Sequence, residues 1–214
     1  MSDDPRIDFE ALYRGESPGA GLPPVATPPW DTKQPKESVL AWHSEGLIRG
    51  EVLDIGCGYG DNAVFLAARG HRVTAMDIAP TALITARQRA HEAGVSVTFA
   101  VGDATDLAGY RGIFDTIVDS GMYHCLDADQ RARYASAAHR AARPGASLLV
   151  CCFTESDSAG PRWRRPGVSE ASLHDTIGGA GWADVTVRPF DVPRADGRLM
   201  AFWLAHALRP QSTG

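Results

Sequence analysis

The sequence predicts an α/β fold: a doubly wound sheet of parallel strands with helices on both faces. Three observations lead there. From about residue 37, short apolar runs alternate with stretches of helical periodicity. Most of the runs stop at glycine or aspartate. The stretches between them carry helix punctuation, such as Pro80 in a first turn and Gly70 and Gly94 just past helix ends.

Taken in order, residues 1–36 stand apart. They hold seven prolines, which exclude a long helix or a central strand. Phe9, Leu12, Tyr13 and Trp30 are apolar enough to pack, so a short helix near 7–14 and an ordered arm lying on the main domain are expected. Residues 38–45 read as helix and 51–55 as a buried strand. Residues 61–69 read as helix and 72–76 as a second strand ending in Asp77. A helix follows over 80–93, a third strand over 95–101 before Gly102-Asp103, and a fourth over 114–119. Residues 129–142 form a helix stopped by Pro144-Gly145, and 146–153 a fifth strand. Ser169 caps a helix over 169–178, and 183–189 and 198–208 close the sheet. The arm (1–36), the sheet domain (37–208) and a frayed tail (209–214) are the expected units.

Composition narrows the class. The chain has 214 residues, 44% hydrophobic and 22% charged, with a net charge of −5. An acidic chain is a poor partner for nucleic acid or anionic membrane; Arg162, Arg164 and Arg165 around Trp163 read as a solvated loop. The four cysteines show no C-x-x-C spacing, which suggests free thiols in a reducing compartment. The N-terminus carries no apolar leader, and the longest near-apolar stretch is too short to span a bilayer. A cytoplasmic protein without nucleic-acid or membrane partners is expected. The pattern is compatible with a monomer or a homodimer. The scattered histidines form no ligand-spaced cluster, so no metal is expected.

In a doubly wound sheet the ligand sits outside the carboxyl ends of the strands. The first strand runs into Asp54-Ile55-Gly56-Cys57-Gly58-Tyr59-Gly60-Asp61, a glycine turn that lets a ligand approach the backbone. A dinucleotide-binding G-x-G-x-x-G would need glycine where Asp61 stands. A pyrophosphate there would also face Asp54 and Asp61 without a nearby cation. Asp77, Asp103 and Asp119 close the next three strands. Asp77 suits vicinal ribose hydroxyls and Asp103 an exocyclic amine. Four carboxylates around one crevice suit a donor-rich, cationic nucleoside without phosphate.

These residues resemble those of class I S-adenosylmethionine-dependent methyltransferases. The first motif spans Val52 to Gly60, Gly102-Asp103-Ala104 resembles the adenine turn, 114–120 the fourth strand, and 143–146 the turn into the fifth. The resemblance covers about residues 37–208. It implies a Rossmann-like, seven-stranded sheet whose last strand is antiparallel. It also implies S-adenosyl-L-methionine as cofactor, S-adenosyl-L-homocysteine as product, and cofactor contacts from Asp54, Gly56, Cys57, Gly58, Gly60, Asn62, Asp77, Ile78, Asp103, Ala104, Asp119 and Ser120. The arm resembles the opening of small actinobacterial enzymes that methylate heterocyclic and phenolic toxins, hydroxyquinolones among them. Its Pro29-Trp30-Asp31 is similar to an element of the thiopurine, thiol and halide methyltransferases, which implies a lid with Trp30 against the methionine end of the cofactor.

The resemblance implies methyl transfer to the hydroxyl or ring nitrogen of a small aromatic or heterocyclic acceptor, in detoxification or secondary metabolism. S-methylation of a thiol is the alternative. A nicotinamide oxidoreductase and a non-enzymatic cofactor-binding regulator are the other classes considered. His124, five residues beyond Asp119, is the candidate base; packing is its competing role. Tyr13 and Arg14 are candidates for acceptor contact and catalysis from the lid, though Arg14 can instead pair with Glu10 or Glu16. Tyr123, Trp163 and Trp203 are candidates for an aromatic substrate wall, with core packing the expected role of Trp203.

Overall fold

The computed structural model describes residues 7–156, 167–194 and 197–211. The elements in chain order are α1 (Phe9–Tyr13), α2 (Glu37–Ser44), β1 (Glu51–Ile55), α3 (Asp61–Ala67), β2 (Arg72–Asp77), α4 (Pro80–Glu92), β3 (Thr98–Val101), β4 (Phe114–Ser120), a 3-10 turn (Tyr123–Cys125), α5 (Ala128–Ala141), β5 (Ala142–Phe153), α6 (Glu170–Gly179), β6 (Ala183–Pro193) and β7 (Leu199–Leu208). One seven-stranded sheet has the order β3-β2-β1-β4-β5-β7-β6. β1 to β5 pair in parallel, and β7 runs antiparallel to both β5 and β6.

Alternate residues of each strand enter opposite layers, as the two-residue period of a strand requires. Val52, Val118, Leu149 and Cys151 pack under α2, α3 and α4 with Trp42, Leu66 and Leu83. Leu53, Ile117, Leu148 and Val150 pack under α5 and α6 with Tyr134, Leu173 and Ile177. The doubled core explains why the central strands read as continuous apolar runs rather than alternating ones.

Helix punctuation follows the sequence. Asp127 and Gln130 form a reciprocal capping box on α5, and the Ser169 hydroxyl accepts the Ser172 amide on α6. Three strand limits differ from expectation. The third strand starts at Thr98 rather than residue 95, because the Val95 amide donates to Ala90 and finishes α4. β6 continues past Pro189 to Pro193, since it is the sheet edge, where a missing N–H costs no ladder bond. β5 also begins earlier, at Ala142, across a register shift opposite Phe114–Thr116. No described helix is long and apolar enough to cross a membrane.

The switch point lies between β1 and β4, where the chain order reverses. The strand ends of β1, β2, β4 and β5, with the arm above them, therefore define the crevice.

Candidate active site

The glycine turn is braced from beneath by Asp77. Its two carboxylate oxygens accept the Gly58 amide at 2.7 Å and the Ala79 amide at 2.9 Å. Gly58 has φ +54°, and a Cβ there would meet the Tyr13 hydroxyl at 2.8 Å. Gly60 has φ +80° at the start of α3, where a Cβ would press on the Ala86 methyl of α4 at 2.9 Å. The turn is thus packed closely by Tyr13 of the arm at Gly58 and by α4 at Gly60.

Carboxylates at the strand ends divide into two levels. Asp54 and Asp119 are buried, with Asp54 only 1% exposed. Asp119 accepts the amides of Met122 and Tyr123 at 2.9 and 3.2 Å and so caps the 3-10 turn. One oxygen of Asp54 has no hydrogen-bond partner among the described residues. Burial pushes both acids up to about 7; Asp77 and Asp119 add like charge at Asp54. Burial raises Asp77 as well, against the amides that hold it. Asp103 is exposed and accepts the Thr105 amide at 2.8 Å. The expected rim of four aspartates is therefore corrected: Asp103 is at the surface, Asp77 is a buried brace under the turn, and Asp54 and Asp119 form a buried floor. The expected bare charge at Asp61 is corrected too. Asp61 does not face the turn as an unneutralised charge, because the Arg89 guanidinium binds both its oxygens at 2.8 and 2.7 Å.

The buried floor sets a pH dependence. A carboxyl raised from its ordinary value to about 7 keeps its proton in the folded chain where the unfolded chain has lost it. Its stabilising contribution is full in acid and falls away between about pH 4 and pH 7. The ligand-free protein is expected to melt at a lower temperature at alkaline than at mildly acidic pH. Asp54→Asn and Asp119→Asn should each flatten that slope; thermal melts across the range check it, and parallel slopes in wild type and variants would refute it.

Two large aliphatic side chains beside these acids face solvent, Ile78 at 58% and Val101 at 57% exposed. They flank Asp77 and Gly102, and a cleft of about 390 Å3 continues from Val101–Asp103 toward Leu107 and Tyr110. Exposed apolar surface next to a carboxylate and a glycine cradle fits a flat base joined to a ribose. Ala104 is half-buried beside it.

The arm covers the turn. Trp30 donates its indole N–H to the Tyr13 hydroxyl at 3.0 Å, and Tyr13 packs edge-on to Tyr59 of the turn at 5.0 Å. Burial and Asp77 push the Tyr13 phenol far above its ordinary range, so it stays protonated. Glu10 of α1 accepts the Thr81 amide at 3.1 Å and its hydroxyl at 2.5 Å, capping α4 from the arm. The buried Asn62 accepts the Lys36 amide at 2.9 Å, and the Ser120 and Ser38 hydroxyls meet at 2.9 Å. Cys57 is buried under the turn and burial pushes its thiol up, which leaves it unreactive.

At the other end, the His124 ring sits 4.6 Å from Phe153, and Phe153 stacks on Phe202 at 4.5 Å. Phe153 ends β5 and Phe202 faces it in register on β7. This aromatic wall replaces the expected one. Tyr123 is fully buried in the core against Tyr134, at 6.0 Å, and presents no surface to the crevice. Trp203 points to the α5–α6 layer and donates to the Val168 carbonyl at 2.9 Å. Trp163, with Arg162, Arg164 and Arg165, lies outside the described residues. Arg14 is an exposed ion pair with Glu16 at 2.8 Å and Glu10 at 3.6 Å, not a group aimed into the crevice. Among the described residues, no three His, Cys, Asp or Glu side chains are grouped to hold a metal ion.

Sequence reasoning missed Phe153, Phe202 and Arg89. Phe153 was findable, since it ends a strand at the ligand side. Phe202 needed the β5–β7 register, and Arg89 needed the path of the arm.

Residues 52–145 match a family model described as a methyltransferase domain. Over 182 residues the chain is 38% identical to a 2-heptyl-1-hydroxyquinolin-4(1H)-one methyltransferase of Mycobacteroides abscessus, covering 83% of this chain and 77% of that one. A solved structure described as "Conversion of a Disulfide Bond into a Thioacetal Group during Echinomycin Biosynthesis" superposes with a TM-score of 0.80 at 34% identity, covering 96% of this chain and 92% of that one. The fold is shared with a Burkholderia thailandensis 1,6-didemethyltoxoflavin-N1-methyltransferase solved with S-adenosylhomocysteine, at TM-score 0.65 and 23% identity over 82% of this chain and 78% of that one. With its seven-stranded sheet, braced glycine turn and acidic strand ends, the chain belongs to the methyltransferase-domain family and is an S-adenosylmethionine-dependent methyltransferase.

Proposed function

We propose that the enzyme methylates the hydroxyl of a small, flat aromatic heterocycle of the hydroxyquinolone or phenol type, in detoxification or secondary metabolism. One observation carries the reading: the stack of His124, Phe153 and Phe202 stands at the carboxyl ends of β4 and β5, beside the cofactor turn. A planar acceptor slides against such a wall with its hydroxyl near an imidazole. The likeness to the hydroxyquinolone methyltransferase supports the same acceptor class.

Bound S-adenosylmethionine supplies a methyl group on a positively charged sulfur. In this reading Asp77 holds the ribose hydroxyls, Asp103 the base amine, and Ile78 and Ala104 the faces of the base. Gly56, Gly58 and Gly60 admit the methionine end, with Cys57, Asn62 and Ser120 around it. Asp54 and Asp119, protonated in mild acid without ligand, are drawn toward their ionised forms beneath a bound sulfonium. Trp30 and Tyr13 close the turn from above and exclude water. His124 takes the hydroxyl proton through Nε2 as the oxygen attacks, or the residue simply orients an acceptor that arrives ionised. Most of the acceleration comes from holding oxygen, methyl and sulfur in line.

A sulfur acceptor is the second reading, favoured by the likeness to the structure described for disulfide-to-thioacetal conversion. Calorimetric titration of the S-adenosylhomocysteine-loaded enzyme separates the two. A hydroxyquinolone is expected to bind saturably, and Phe153→Ala to weaken it about tenfold without changing homocysteine-nucleoside affinity. Binding of thiols alone would move the reading to sulfur.

A further inference from the structure

Arg89 of α4 lies between two carboxylates from different parts of the chain. One of its nitrogens contacts both oxygens of Asp61, at 2.8 and 2.7 Å, and the other both oxygens of Asp31, at 2.9 and 3.1 Å. Asp61 is the first residue of α3, directly after the glycine turn. Asp31 belongs to the arm, next to Trp30, and its side chain is only 5% exposed. The same guanidinium lies 5.0 Å over the Tyr59 ring of the turn. The Lys36 ammonium is tied to the Trp30 carbonyl and the Thr32 hydroxyl. A forked cation gripping two shielded carboxylates fixes their separation in a way a lysine cannot.

We propose that Arg89 is a positioning residue that latches the arm over the glycine turn, and that this latch sets how long the cofactor and its product stay bound. The proposal rests on the reading of the arm as the cover of the cofactor. Arg89 touches neither reacting atom; it acts through Asp31 on the neighbouring Trp30, and through Asp61 and Tyr59 on the turn. Removing it leaves Asp31 and Asp61 facing each other as shielded like charges, with Lys36 as a cation tied to the neighbouring backbone. The arm should then be pushed away, not merely loosened. Neutralising Asp31 in that background removes the repulsion. A side chain that only packs would instead give losses that add.

The test compares Arg89→Met, Asp31→Asn and the double variant in the full chain. Two quantities are read: hydrogen exchange of residues 8–35, and the dissociation rate of S-adenosylhomocysteine. Arg89→Met is expected to speed both, the dissociation by about tenfold, and the double variant to recover part of each loss. Arg89→Lys should fall between, since it keeps charge without the fork. Unchanged exchange in the arm would overturn the latch. Faster exchange with unchanged dissociation would also overturn the proposal, and would show that the arm does not cover the cofactor. Additive losses in the double variant would reduce Arg89 to packing. Should Arg89→Met fail to fold, Asp31→Asn alone decides on the same two readouts, because it frees the arm while keeping the Arg89–Asp61 pair.

Discussion

Asp77→Ala is expected to weaken S-adenosylhomocysteine binding about 10- to 100-fold, from the loss of a charged acceptor worth about 1.5–3 kcal/mol. It should also lower the melting temperature of the free protein. The carboxylate does two jobs in the structure. It satisfies the amides of Gly58 and Ala79, which are otherwise buried donors without an acceptor, and in the proposed binding mode its remaining lone pairs take the ribose hydroxyls. Asp77→Asn keeps an oxygen for one amide but turns an NH2 group toward the other, so it should lie between wild type and alanine in both measurements. Calorimetry and thermal melts on the three proteins check this. A loss of stability with unchanged affinity would confine Asp77 to bracing the turn.

His124→Ala is expected to lower turnover by about 100-fold or more for a weakly acidic phenol, and by much less for an acceptor already ionised at assay pH. The geometry allows a control that alanine does not. His124→Phe preserves a ring against Phe153, 4.6 Å away in the parent, while removing both nitrogens. If proton transfer is the role, the phenylalanine variant should be as slow as the alanine one on weak acids and near wild type on strong ones. If the ring only packs, phenylalanine should restore turnover on every acceptor. Initial rates across a series of phenols of graded acidity separate the two.

The sheet was legible because its strands are buried on both faces and its helices carry explicit caps. Val52 and Leu53, or Leu148 and Leu149, are consecutive apolar residues that enter opposite layers, which marks a doubly covered strand in the sequence. The strand ends were legible by the same logic, since Gly58 and Asp103 follow strands and Asp77 closes one. What sequence spacing could not show was depth. Asp54, Asp77, Asp103 and Asp119 all lie at or just past strand ends, yet the first, second and fourth are buried, Asp119 under the 3-10 turn it caps, while Asp103 is at the surface. Tyr123 and His124 are adjacent in the chain, and a single 3-10 turn sends one ring into the core beside Tyr134 and the other against Phe153. Partners far apart in sequence were equally hidden. The pairing of Asp61 with Arg89 undid the expectation of an uncompensated charge at the turn, and the sequence separation of 58 between Asp31 and Arg89 leaves no local pattern to read.

The proposed reaction requires an oxygen acceptor held in line with the cofactor methyl. The most direct measurement supplies S-adenosylmethionine carrying an isotopically labelled methyl group, a hydroxyquinolone and an aryl thiol together, and locates the label in the products by NMR. Labelled O-methyl heterocycle is expected as the main product, reduced in Asp77→Ala at limiting cofactor and slowed in His124→Ala. Label on the thiol alone, or in neither acceptor, would contradict it.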